Sequence, residues 1–481
     1  MQIRGYSRTG DRAAVPPARA WVAPTPEHPV HGTVTVPGSK SLTNRELLLA
    51  ALASGPSTLH TPLHSRDTAL MIEALRRLGT RIEPLEPPPA VATTLPGALP
   101  AGLAPASDPA SDPDTGDLLV IPAETFRGAV SIDCGLAGTV MRFVPPVAAL
   151  ALGPIGFDGD AQARRRPMGP LIEGLRQLGV TVADDGRGRL PFTVHGEGRI
   201  RAGHVRIDAS ASSQFVSGLL LAAARYEGDT VIEHVGGTLP SLPHIEMTVA
   251  TLAEHGVTVH RAGPTAWRVP EQSIAGADVR LEPDLSNAAP FLAAALVTGG
   301  SVAVPDWPAH TTQVGALLPE LLGAFGARSE LVDGTLTVHG DGPVHGADLD
   351  LSAAGELAPT IAAVAALADS PTTLRGIAHL RGHETDRLAA LESDLHALGG
   401  DVHQTDDGLV IAPAVLHGGE WKAFADHRMA TAGAVIGLVV PEVRVDDIQA
   451  TAKTLPGFAR MWARLIDPEP TGLADVPVEA R

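Results

Sequence analysis

The stretch VPGSKSLTNRELLLAALASG, residues 36–55, sets the reading of the whole chain. Gly38 and Lys40 precede a run that is apolar nearly all round, so the run reads as a helix buried on every side. A nucleotide-binding P-loop needs Gly and Lys adjacent; here Ser39 separates them, so the segment is not one. Five further segments of the same kind follow: GTVMRFVPPVAALALG, SSQFVSGLLLAAARYEG, SNAAPFLAAALVTGG, APTIAAVAALADS and HRMATAGAVIGLVV. With Asn44, Thr139, Ser213, Asn287, Thr360 and His427 as markers, the spacings are 95, 74, 74, 73 and 67 residues. A second series interleaves with them, of short amphipathic helices ending in Gly79, Gly179, Gly256, Gly326 and Gly399, where glycine suits a left-handed C-cap. β-branched runs such as TVTV before Pro37 and TVIEHV after Asp229 flank the helices. The chain is therefore an α/β protein of six repeated units, each strand, buried helix, strand, amphipathic helix and one or two strands.

Composition narrows the chemistry. A chain of 481 residues with 44% hydrophobic and 19% charged residues buries its own core, and no apolar run is long enough to span a membrane. The single thiol, Cys134, rules out a disulfide scaffold or a Cys-rich zinc site and fits a reducing, cytoplasmic setting. A formal net charge of −18 argues against nucleic acid or an anionic membrane as partner. Only Lys40, Lys422 and Lys453 supply lysine. Residues 1–30 carry scattered Arg and Pro without an apolar signal core and read as a flexible lead-in. Residues 84–116, rich in Pro, Ala, Thr and Asp, read as a mobile insertion that lengthens the first spacing, and residues 468–481 as a tail.

Five of the six buried helices begin with Ser, Thr, Asn or Asp, which by itself is ordinary capping. Their first turns also hold Lys40 and Arg45, Arg142, Gln214, and His427 with Arg428. Helix N-termini attract anions, so convergence of these ends would make one anion-attracting cleft in an acidic protein.

The opening PGSKS-x-x-NR segment resembles the start of the 5-enolpyruvylshikimate-3-phosphate synthase family of enolpyruvyl transferases. Further segments match that family in order: GLAGTVMR, RRRPMG, SASSQF, HETDRL with DHRMA, and TAKTLPGF. Lys40 and Lys453 fall inside these motifs, where a compact ammonium is not replaceable by a planar guanidinium, whereas Lys422 lies outside them as solvated surface.

The resemblance implies a two-lobed inside-out α/β barrel of six βαβαββ-type units, three per lobe. One lobe would span residues 35–282 and the other residues 31–34 plus 283–467, with substrate bound between them and the lobes opening and closing. It implies transfer of the enolpyruvyl group of phosphoenolpyruvate to the 5-hydroxyl of shikimate 3-phosphate, on the way to chorismate and aromatic amino acids. The reaction releases phosphate by addition and elimination through a tetrahedral intermediate, needs no metal or cofactor, and is a target of glyphosate. A monomer is expected. Carried over onto matching positions, Lys40, Ser41, Arg45, Ser212, Ser213, Gln214, Ser241, Glu356 and His383 would hold shikimate 3-phosphate. Lys40, Gly138, Arg142, Arg166, Gln214, Arg387, Arg428 and Lys453 would hold phosphoenolpyruvate, with Arg164 and Arg165 solvated. Glu384 and Glu356 are the candidates for proton transfer, Glu384 sharing a helix face with Arg387, and Lys40 is a candidate proton shuttle.

The sequence departs from the family's usual pattern at several positions. Glu356 stands for Asp, His244 for Tyr, His383 for Lys, His379 for Asn and Leu136 for Asn. A part-charged imidazole at His383 would make activity more sensitive to pH. Two other readings compete with this one. A UDP-N-acetylglucosamine enolpyruvyl transferase would carry a reactive loop cysteine, but Cys134 runs from a strand into a helix start, a place for a small apolar role. An inactive anion-binding homologue would have lost an acid–base residue or a phosphate ligand, yet Lys40, Glu384, Arg428 and Lys453 are present.

Overall fold

The computed structural model describes residues 20–85 and 116–467. The expected tail and nearly all of the expected insertion lie outside the described residues. The six apolar segments form the helices Lys40–Leu52, Gly138–Ala148, Gln214–Ala223, Leu285–Thr298, Ala358–Ala365 and His427–Gly437. Having no polar face, they are enclosed: every residue of Gly138–Ala148 and of Ala358–Ala365 is buried. They sort into two cores. The first runs from Leu47 to Leu281, and the second joins Ala23, Val30, Val34 and Val36 to residues from Leu285 to Leu465. Within each core the three buried helices pack on one another.

Strands alternate buried and half-exposed positions, as in Ser57–His60 and Leu118–Ile121, so each sheet lays one face on a core and turns the other to water. Among the described residues there are six sheets, five of four strands and one of three. The four-stranded sheets share one plan. In one of them Val130–Asp133 runs parallel to Leu152–Asp158, which pairs antiparallel with Phe192–Glu197, which pairs antiparallel with Thr181–Ala183. In that register Phe157 faces Phe192 and their rings stack with centroids 5.1 Å apart. The five glycines that end the amphipathic helices all have positive φ.

The chain passes between the cores twice. Strand Ser57–His60 of the first core takes its parallel partner from Asp278–Arg280, and Ser301–Val304 of the second takes His31–Thr33. The two passages run side by side: Ser39 N–H donates to the Glu282 carbonyl at 2.8 Å and Asp284 N–H to the Pro37 carbonyl at 2.8 Å. A Cβ on Gly38 would overlap the Thr61 carbonyl oxygen, so this close passage requires glycine.

Two expectations need correction. The loose lead-in does not reach residue 30. Trp21–Val22 pairs antiparallel with Val443–Val445, Ala23 N–H donates to the Val443 carbonyl at 2.9 Å, and the Thr25 hydroxyl donates to the Gly437 carbonyl at 2.7 Å. A two-residue strand is too short to leave a period in the sequence. The sixth unit also departs from the repeated strand order. After Val443–Val445 its described residues form the amphipathic helix Phe458–Ile466, and Trp21–Val22, from before the first unit, completes its three-stranded sheet. Among the described residues no helix is long and apolar enough to cross a membrane.

Candidate active site

The N-terminal ends of the buried helices from both cores meet at one cleft. Asp284 ties the two sides together: its Oδ1 accepts from Asn287 N–H at 3.0 Å and its Oδ2 from Lys40 N–H at 3.1 Å. One carboxylate thus satisfies the first turns of two helices, one from each core. The Gly138–Ala148 helix starts without a side-chain cap, which leaves its first N–H groups available to an anion, whereas at the Gln214–Ala223 helix the Gln214 N–H donates to the Ser212 hydroxyl at 3.3 Å.

Cations crowd this junction. Lys40, Arg142, Arg166, Arg387 and Arg428 line the cleft together with Ser41, Gly138, Ser212, Ser213, Gln214 and Ser241. Burial pushes the Arg142 guanidinium well down, and the Arg166 charge beside it adds to the shift. The Nε–H groups of both arginines are buried without a partner. An anion between them would relieve the repulsion and accept the unpaired donors. Gly138 opens its helix against this pair. A Cβ there would lie 3.0 Å from Arg142 Nη1, 3.1 Å from Gln214 Oε1 and 3.2 Å from Arg166 Nη1.

Glu384 sits among the cations of the second core. Lys453 Nζ donates to its Oε1 at 2.5 Å, Arg387 Nη2 to its Oε2 at 3.3 Å, and Arg166 of the first core lies 4.0 Å away. Burial alone would raise this carboxyl, but Lys453, Arg166 and Arg387 hold it well below the usual carboxylate range. The expected shared helix face is not the reason for the Arg387 contact. Asp386 caps the helix Arg387–Ala397, so Glu384 lies in the turn before it and reaches back to the first helical residue. Lys453 is absent from the cleft lining and stands behind Glu384.

Glu356, in the short turn Gly355–Leu357, lines the same cleft as Glu384. Burial would raise its carboxyl, but His244, Arg428 and the Ser286 hydroxyl bring it far below the ordinary value. Burial lowers the Lys40 ammonium, Lys453 and Arg428 lower it further, and Asp67, 3.7 Å from Nζ, opposes the shift together with Glu384.

Two predicted residues behave differently from expectation. Arg45 does not line the cleft. It is buried beneath it, where Nε donates to Thr248 Oγ1 at 2.9 Å, Nη1 to the Ser41 carbonyl at 2.8 Å and Nη2 to the His244 carbonyl at 2.9 Å. His383 lines the cleft, with 30% of its side chain exposed, and burial, Arg387 and Arg166 push its imidazole below its ordinary value, against the expected part charge. His379 and His244 also line the cleft, whereas Leu136 is buried and offers its carbonyl to Arg166 Nη1 at 3.4 Å. Arg164 is exposed and paired with Asp158.

The sequence reading missed the acidic and hydroxyl partners that hold these groups. Asp426 takes Arg387 in a bidentate pair, Nε at 2.8 Å and Nη2 at 3.1 Å. Asp67, 2% exposed, faces Lys40, and Ser286 bonds Glu356 through its hydroxyl and Arg428 Nη1 through its carbonyl, the latter at 2.6 Å. Asp426 was visible inside DHRMA and Ser286 at a helix start, but nothing in the sequence around Asp67 marks it.

A sequence model of EPSP synthase (3-phosphoshikimate 1-carboxyvinyltransferase) matches residues 24–98 and 114–462. The chain is 56% identical over 454 residues to a 3-phosphoshikimate 1-carboxyvinyltransferase of Kocuria rhizophila, covering 93% of this chain and 97% of that one. Its fold is similar to that of EPSP synthase from Acinetobacter baumannii, with TM-score 0.71, 23% identity, and 93% and 97% of the two chains covered. It is also similar to the enolpyruvyl transferase NikO from Streptomyces tendae, with TM-score 0.68, 19% identity, and 92% and 96% covered.

Proposed function

The chain belongs to the EPSP synthase family, and from that premise we infer how its cleft performs the family's reaction. It transfers the enolpyruvyl group of phosphoenolpyruvate to the 5-hydroxyl of shikimate 3-phosphate and releases phosphate, a step of the shikimate pathway to aromatic amino acids. The observation that carries the site assignment is the convergence of Lys40, Arg142, Arg166, Arg387, Arg428 and Lys453 on two carboxylates, Glu356 and Glu384.

Both substrates carry a phosphate and a carboxylate, and this set of cations offsets their charge in a site largely removed from water. Shikimate 3-phosphate lies on Lys40, Ser41, Ser212, Ser213, Gln214 and Ser241. Phosphoenolpyruvate lies across Arg142, Arg166, Gln214 and the Gly138 turn, with Arg387 and Arg428 on its other side and Lys453 acting from behind Glu384. Arg45 holds the carbonyls of Ser41 and His244 in place from below.

Glu356, kept ionised, takes the proton from the 5-hydroxyl as that oxygen bonds to the central carbon of phosphoenolpyruvate. A proton goes to the methylene carbon, giving the tetrahedral intermediate. Removal of a proton from the new methyl group and departure of phosphate then restore the double bond. Glu384 serves that carbon. Lys453, Arg166 and Arg387 hold Glu384 as a carboxylate, and the anionic substrate offsets those same cations, so Glu384 takes up a proton as the ligand binds. Lys40, its ammonium weakened by burial among cations, suits the shuttling of that proton.

The mutual packing of three helices in each core supports reading the fold as a two-lobed inside-out barrel, with lobes at residues 35–282 and at 31–34 plus 283–467. Both lobes of one chain line the whole cleft, which supports a monomer. A buried, unpaired Cys134 is in keeping with the cytoplasm. Phosphate release measured with both substrates tests the reading: release that needs both supports it, and none from either mixture sinks it.

A further inference from the structure

We propose that His244 is a positioning residue, reaching from the first lobe to hold the catalytic carboxylate of Glu356 in the second; this rests on the assignment of Glu356 above. His244 Nε2 lies 3.4 Å from Glu356 Oε2, both side chains being partly exposed to the cleft. The backbone beneath the imidazole is fixed. The His244 carbonyl accepts from Arg45 Nη2 at 2.9 Å and from Thr248 Oγ1 at 2.9 Å, and its N–H donates to the Ser241 carbonyl at 3.0 Å. On the other side, the second oxygen of Glu356 is bonded by the Ser286 hydroxyl, and Arg428 Nη1 holds the Ser286 carbonyl at 2.6 Å. Glu356 is therefore held by its own lobe through one oxygen and by the opposite lobe through the other.

The two sides meet again close by: Ser241, the residue that starts the helix carrying His244, donates its N–H to the carbonyl of Ser352, four residues before Glu356, at 3.4 Å. Ser241 keeps a left-handed backbone, φ 50°, which a serine adopts only when its surroundings enforce it. The turn carrying His244 is thus built to face the turn carrying Glu356.

The pairing also accounts for two departures at once. A glutamate where the family usually has aspartate carries one more rotatable bond, and a freer carboxylate loses more conformational entropy when it is held for proton transfer. A histidine where the family often has tyrosine puts a ring nitrogen at that carboxylate. The two substitutions touch each other, so each makes up for the other.

A double-mutant cycle tests this. His244→Tyr and Glu356→Asp should each lower kcat about 10- to 100-fold while leaving KM for phosphoenolpyruvate within about twofold. The double variant should regain about tenfold over the worse single one. His244→Gln, which keeps an N–H donor, should retain more activity than His244→Leu, and melting temperatures would separate lost positioning from lost folding. If His244→Tyr does not fold, the Gln and Leu variants close the cycle with Glu356→Asp. Losses that simply multiply in the double variant, or that fall on KM alone, overturn the pairing. A wild type that releases no phosphate would instead remove the assignment on which the pairing stands.

Discussion

Replacing Gly138 by alanine perturbs the cleft by one carbon at a point where the structure fixes what that carbon meets. The new methyl would stand 3.0–3.2 Å from Arg142 Nη1, Gln214 Oε1 and Arg166 Nη1, so these polar ends must each retreat by a few tenths of an ångström. The fold should tolerate the change: Gly138 is the first residue of a helix, its φ is not positive, and alanine favours a helix over glycine by up to about 1 kcal/mol. A misplaced methyl in a fitted pocket is worth about 1–3 kcal/mol, or roughly 10- to 200-fold. The two guanidiniums are the proposed phosphoenolpyruvate ligands, so the loss should fall there. We expect KM for phosphoenolpyruvate to rise about tenfold and inhibition by glyphosate, the anion expected to compete with it, to weaken by roughly 100-fold. Shikimate 3-phosphate should bind within about threefold of wild type, because Ser41, Ser212 and Ser241 keep their places. Steady-state inhibition kinetics and calorimetric titration give these numbers. Unchanged glyphosate inhibition beside an inhibited wild type, or an equal loss of shikimate 3-phosphate affinity, would show that this turn does not face phosphoenolpyruvate.

Glu384→Gln and Glu356→Ala should each lower turnover by roughly 10²–10⁴-fold with smaller effects on binding, and Lys40→Met should impair both; near-normal turnover in any variant removes that residue from the mechanism. Asp394, 2% exposed on the Arg387–Ala397 helix, has its carboxyl pushed up to about 7 by burial, with Asp446 and Glu420 adding to the shift. The folded state therefore keeps a proton that the unfolded chain releases near pH 4, and the associated stability, present below that pH, is lost as pH rises through 7. Asp394→Asn should be more stable than wild type at pH 8 by roughly 2–4 kcal/mol, and denaturant melts at pH 5 and pH 8 that shift in parallel would count against it. Small-angle scattering should show contraction when both substrates bind if the two cores close on the cleft as proposed, since Arg166–Glu384 and His244–Glu356 link residues of opposite cores; superimposable profiles would argue for a rigid cleft.

The repeat was legible because its helices are apolar all round, a pattern that only burial explains, and because glycines punctuate the amphipathic ones. Lys40, Arg142, Gln214 and Arg428 were legible at helix starts, where an anion demands cations, whereas Arg166, Arg387, Glu356 and Glu384 were named only through the family resemblance. What stayed hidden depends on distant pairing. Trp21–Val22 is too short for a period and becomes a strand only because Val443–Val445 offers it an edge. Arg45 sits in the right motif, yet its guanidinium turns to carbonyls 4 and 199 residues away, a choice set by packing. Asp67 faces Lys40 only after two helices fold together. The meeting of His244 with Glu356 could not be read from either local segment.

If the cleft opens and closes as proposed, the side-by-side passages at residues 37–40 and 282–285 would be its hinge. Two segments bonded to each other would resist twisting and shear, which would leave bending about a single axis, as in a jaw with two pins. Lys40 and Asp284 stand at the root of that jaw and share a hydrogen bond there, so they travel least. The contacts of Arg166 with Glu384 and of His244 with Glu356 lie away from the pivot, where a small rotation moves them furthest. A lysine at the root would be present at every angle of such a jaw, while the partners that the two carboxylates take from the opposite side, Arg166 and His244, would come and go with it.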